Sequence, residues 1–99
     1  MWHHVAGCKE VDNGTVNMTL YWDGQLVGSY QGTTNDTGTN AAVYIGKYPY
    51  SSGGGLGGYI DEIRISSTLR YSDDFVPMRF LLNDADTVAL YHFEEINND

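Results

Sequence analysis

The stretch from Thr15 to Trp22, ending in Asp23-Gly24 and a second extended run, constrains this chain more than any other feature. Val16, Met18, Leu20 and Trp22 alternate with Thr15, Asn17, Thr19 and Tyr21, the two-residue period of a strand whose neighbours point to opposite faces. Asp-Gly suits the tight hairpin turn that needs positive φ at both central residues, so residues 25–31 should return beside 15–22. Residues 2–8 alternate in the same way, and the charged stretch after them ends in the turn signal Asn13-Gly14. Val16, Met18, Leu20, Trp22 and Trp2 are expected to face the core. Tyr21, Tyr30 and Tyr44 are expected on the opposite side.

Further along, 42–47 and 59–66 read as strands, and 87–93 reads as a strand buried on both faces. Residues 32–40 are almost all Gly, Thr, Asn and Asp, and 48–58 hold two tyrosines, Pro49 and five glycines, so both read as loops. The 67–75 run has room for one helical turn before Pro77. This gives about six strands in one all-β domain spanning 1–99, since 99 residues leave no space for two.

The charge balance excludes some partners. A net charge of -8 with five basic residues repels phosphate, so nucleic acid and anionic membrane surfaces are not expected. No apolar run is long enough for membrane insertion. No signal peptide is visible, which says little where a sequence can be a piece of a longer protein. Cys8 is the only cysteine and reads as a small buried hydrophobe.

Four strings, taken in order, resemble the laminin-G-like, concanavalin A-like jelly-roll family. They are Trp-His-His-Val-Ala at 2–6, Leu-Tyr-Trp-Asp-Gly-Gln-Leu-Val at 20–27, Tyr-Ile-Gly at 44–46 and Gly-Tyr-Ile-Asp-Glu-Ile-Arg-Ile at 58–65. The resemblance covers about residues 2–75 and implies an antiparallel β-sandwich used for binding rather than catalysis. Complete domains of this kind are longer, and the strands that usually precede the first string are missing. Thr-Val-Ala-Leu-Tyr-His-Phe-Glu at 87–94 looks like the strand that opens such a domain, displaced to the C-terminus. The sandwich is therefore expected to be incomplete or permuted. Half a sandwich exposes an apolar face and open edges, so completion by a homodimer is expected.

Sugar rings stack on aromatic faces and need polar partners for their hydroxyls. Tyr48, Tyr50 and Tyr59 in one glycine-rich segment, Asn35 and Asp36 in another, and Tyr44 are the candidate ligand-binding residues. The same tyrosines would also serve as cross-strand packing or a subunit interface. Asp12, Asp36, Asp73, Asp74, Asp84 and Asp86 sit in turn-like segments of the kind calcium uses, but no EF-hand pattern is present and no calcium ligand is assigned; solvated turn acids are the simpler reading. No cofactor is expected, with calcium the one that the resemblance leaves open. Asp61 and Glu62 are adjacent in a strand pattern and should diverge, as should His3 and His4, so neither a glycosidase acid pair nor a chelating histidine pair is expected. Glu62 and Arg64 should share a face and pair. The expectation is a non-catalytic carbohydrate-binding module, extracellular or on a cell or virion surface. The alternative is a structural or protein-interaction module without a small ligand.

Overall fold

The computed structural model describes residues 1–33, 44–46 and 55–93. Its described residues are all-β: β1 (Val5–Asp12), β2 (Thr15–Trp22), β3 (Gln25–Thr33), β4 (Ile63–Ser66) and β5 (Thr87–Tyr91), with no helix. They form two antiparallel sheets, β1-β2-β3 and β4-β5, in keeping with a fragment of a β-sandwich.

Turn chemistry sets the larger sheet. Asn13 and Gly14 take φ of 55° and 82°, and Asp23 and Gly24 take 52° and 84°, positive at both central residues as tight hairpins require. Pairing therefore runs up to the turns, from Asp12↔Thr15 to Val5↔Trp22 and from Trp22↔Gln25 to Thr15↔Thr33. This is why β1 reaches Asp12 rather than ending at residue 8, and why β3 runs to Thr33. One irregularity between Leu20 and Tyr21 leaves Val27 as an extra residue on β3.

The core lies elsewhere than the apolar alternation predicts. Tyr21 is 1% exposed, whereas Met18, Leu20 and Trp22 are 45%, 47% and 46% exposed, and Trp2 is exposed too. What gets covered is the Tyr21 side, because the segment around Tyr71 and Phe75 crosses it. The Tyr71 and Phe75 rings stack with centroids 3.6 Å apart at 7°. Tyr21 meets them edge-on at 6.1 and 5.4 Å, and His4 sits edge-on to Phe75 at 5.4 Å. One backbone bond and one side-chain bond pin the crossing segment: the Phe75 amide donates to the Gly24 carbonyl (2.8 Å), and the Leu26 amide donates to the Asp74 carboxylate (2.9 Å). Tyr30 pairs with Met18 and so belongs to the open side, not the side of Tyr21.

The smaller sheet is shorter than its sequence pattern. Residues 59–62 are irregular, and Glu62 takes φ of 57°, so only Ile63–Ser66 pair with Thr87–Tyr91. Val88 and Tyr91 are exposed, so β5 is not covered on both faces. Residues 44–46 form a bend rather than a strand, with Gly46 at φ 77°. Residues 67–75 make bends rather than a helical turn.

Candidate functional site

Two of the tyrosines singled out by the sequence, Tyr44 and Tyr59, stand on segments that touch one another. The Leu56 amide donates to the Gly46 carbonyl (2.8 Å), and Gly46 lies against the Ile60 side chain. The Tyr44 bend is thereby fastened to the segment carrying Tyr59. Tyr59 is 89% exposed and Tyr44 is half exposed. A side chain so free contributes almost nothing to packing, yet offers a whole aromatic face. Asn35, Asp36, Tyr48 and Tyr50 lie outside the described residues.

Most described acids and histidines singled out by the sequence are committed to internal contacts. Asp84 receives a bidentate pair from Arg70 (2.8 and 2.7 Å), the geometry in which guanidinium and carboxylate bind best. Its Oδ1 also accepts from the Thr87 hydroxyl (3.0 Å) and the Asp86 amide (3.1 Å). That explains the turn leading into β5. It also commits both Asp84 oxygens to Arg70. The Arg70 fork, chiefly, holds the Asp84 carboxyl far below the usual carboxylate range, with burial opposing it.

Glu62 does not pair with Arg64. Its positive φ turns the carboxylate onto His92 Nδ1 (2.8 Å) and the Leu81 amide (2.9 Å), while Phe80 stacks on the His92 ring at 4.2 Å. Desolvation raises the Glu62 carboxyl, but the Leu81 amide and His92 outweigh it and the net direction is down. Arg64 instead donates to the Leu82 carbonyl (3.0 Å) and the Tyr71 hydroxyl (3.4 Å). Asp61 accepts from the Glu62 amide (3.0 Å), so these two acids do not face each other across a cleft. A groove of about 440 Å³ runs past Arg64, Arg70, Tyr71 and Asp84. Sequence reasoning missed these arginines because their partners lie up to 18 residues away and no local spacing marks them.

His3 and His4 diverge as alternation requires. His3 leans on Trp22, with centroids 4.5 Å apart, and its Nδ1 meets Asp23 (2.7 Å). His4 turns inward, and its Nδ1 is buried without a hydrogen bond. Burial pushes the His4 imidazole below its ordinary value; Asp23 opposes this and Arg64 adds to it. The unfolded chain then takes up a proton near pH 6.5, while folded His4 does so only at lower pH, so stability falls as pH drops through that window. The carboxyls of Asp23 (held down by His3 and the His4 amide), Glu62 and Asp84 also sit low. Their contribution is lost below about pH 4, as the unfolded carboxyls protonate first. Urea midpoints should therefore fall in two phases on acidification. His4→Phe should remove the first phase alone and raise the pH 7.5 stability by about 1 kcal/mol, since it deletes an unsatisfied buried nitrogen.

A family model described as the concanavalin A-like lectin/glucanases superfamily (Laminin_G_3) matches residues 1–74 of the 99. Searches of curated proteins and of solved structures returned no match. The family is that of a lectin-like or adhesion-type module, and its match ends at Asp74, within the segment that covers Tyr21. With its all-β, two-sheet antiparallel architecture and a family match over three-quarters of its length, the chain belongs to the concanavalin A-like lectin/glucanases superfamily.

Proposed function

We propose that the chain is a non-catalytic carbohydrate-binding module whose ligand stacks on Tyr59, with Tyr44 beside it. The observation that supports this reading is the 89% exposure of Tyr59 on a segment tied to the Tyr44 bend through Leu56 and Gly46. An aromatic face held outward on a backbone-bonded rim presents the surface that sugar C–H groups stack on. Laminin-G-like domains are generally non-catalytic. The pairing of Glu62 with His92, and of Asp84 with Arg70, fits that class. In this reading the module acts at a cell or virion surface and needs no calcium.

A single shallow site of this kind binds at about millimolar strength, near -4 kcal/mol. A glycan array followed by titration of the strongest hit should give such a constant, unchanged by EDTA. Tyr59→Ala should weaken it at least about tenfold, the loss of one stacking face, with the thermal midpoint unmoved. Binding indifferent to Tyr59→Ala would move the site away from Tyr59, and silence on the array would leave the second reading: an adhesion or structural module without a small ligand. The open apolar face of β2 is what favours that second reading.

A further inference from the structure

One histidine sits where the crossing segment meets the larger sheet, and its backbone cannot carry it away. His4 is clamped to the turn after β2 from both sides of the chain. Its amide donates to Asp23 Oδ1 (2.8 Å), and its carbonyl accepts from the Asp23 amide (2.7 Å). The ring is edge-on to Phe75 at 5.4 Å and to Tyr71 at 6.4 Å. Its Nδ1 is buried and has no hydrogen-bond partner among the described residues. Neutral imidazole tolerates this, since its one proton can sit on Nε2 and leave Nδ1 a bare acceptor. Imidazolium does not, because both nitrogens are then donors and the new N–H is buried with nothing to accept it.

The charged groups around His4 give no relief. On the turn, the Asp23 carboxylate attracts a proton, but its oxygens already meet the His4 amide and His3 Nδ1. From β4, Arg64 adds positive charge. On the crossing segment, Asp74 is taken up by the Leu26 amide and Asp73 is exposed. The crossing segment is the part that can give way. Residues 71–75 belong to no strand. They are fastened by the Phe75 and Asp74 bonds (2.8 and 2.9 Å) and by two long contacts of Tyr71, each 3.4 Å. Strands β1, β2 and β3 are instead paired along their whole length through two tight turns. Segments with few bonds open locally at a small fraction of the cost of opening core strands.

We infer that residues 71–75 are an acid-released strap: when His4 takes up a proton, the strap lifts from the Tyr21 face while β1–β3 stay paired. Release uncovers the Tyr21 ring, 1% exposed under the closed strap, together with Tyr71 and Phe75. The acid form therefore presents an aromatic surface that the neutral form hides. With the strap open, His4 binds a proton near the ordinary value of about 6.5, and with it closed only at lower pH. Closure is thus favoured above that value and weakens as pH falls through it. This inference does not depend on the sugar reading, because Tyr44 and Tyr59 stand on other segments.

Amide hydrogen exchange of the full chain at pH 7.5 and 5.5 tests it, in a window above the carboxyl range of about 4. The Phe75 and Leu26 amides report the two strap bonds. After correction for intrinsic rates, acidification should cut their protection by about 3- to 10-fold. At either pH their exchange should be insensitive to low urea, because a local opening exposes little surface, whereas the amides of β2 should respond to it. His4→Phe should abolish the pH effect. His3→Gln and His92→Gln should keep it, which assigns the effect among the three histidines even if His4→Phe fails to fold. Protection at Phe75 that ignores pH overturns the inference. So does Phe75 exchange that follows urea together with β2, since the strap would then open only with the whole sheet. A pH effect that survives His4→Phe, or that disappears in His3→Gln or His92→Gln, overturns it as well.

Discussion

Tyr21→Ala should cost about 3–5 kcal/mol, a large share of the chain's stability. Truncating a fully buried aromatic removes its transfer energy and opens a cavity that the surroundings fill only in part. Here the cavity would open beneath the stacked Tyr71 and Phe75 rings, the described element that crosses the sheet. A domain of this size commonly has only about 5–15 kcal/mol in hand, and among the described residues Tyr21 is one of three buried apolar side chains. Tyr21→Phe separates packing from the hydroxyl. The hydroxyl donates to the Tyr71 carbonyl at 3.4 Å, long for such a bond, so its loss should cost under about 1 kcal/mol. Urea unfolding of both variants at one fixed protein concentration checks the pair. A Tyr21→Ala variant as stable as the parent would mean that the aromatic cluster is not the core.

The contrast between what was legible and what was not follows from range. Asn13-Gly14 and Asp23-Gly24 encode their turns in two residues each, and the pairing of β1, β2 and β3 follows from them. The alternation of 15–22 correctly sorts side chains into two faces. It cannot say which face acquires a cover, because the covering residues Tyr71 and Phe75 lie some fifty positions away. Hydrophobic character pointed to the Leu20 face; tertiary structure covered the Tyr21 face instead. Glu62 failed for the same reason. Its strand-like neighbours hide a positive φ, and the partners its carboxylate meets there, His92 and the Leu81 amide, are distant in sequence. Local composition put Tyr44 and Tyr59 separately among the candidate ligand residues, but the bond from Leu56 to Gly46 that joins their segments is not readable from composition.

Gly24→Ala should destabilise the chain by about 2–5 kcal/mol, although the change adds only one methyl group. Two independent costs meet at this position. Its φ of 84° lies in the left-handed region, where an L side chain costs about 1–2 kcal/mol. An added Cβ would also overlap the Phe75 carbonyl and touch the Pro77 ring. Backbone, rather than the end of a flexible side chain, would have to move, and overpacking of that kind costs about 1–3 kcal/mol. The segment cannot retreat freely, because the Phe75 amide is bonded to the Gly24 carbonyl and Asp74 to the Leu26 amide. Pushing Phe75 away would loosen its stack with Tyr71 and uncover Tyr21. Gly14→Ala is the matched control: its φ of 82° is as unfavourable, but an added Cβ meets nothing within 4 Å, so only the first cost, about 1–2 kcal/mol, should appear. Denaturant midpoints of the two variants, read beside near-ultraviolet dichroism of the tyrosine cluster, measure the difference. Equal losses at both glycines would mean that the close approach of Phe75 to the turn contributes nothing to holding the aromatic cover on the sheet.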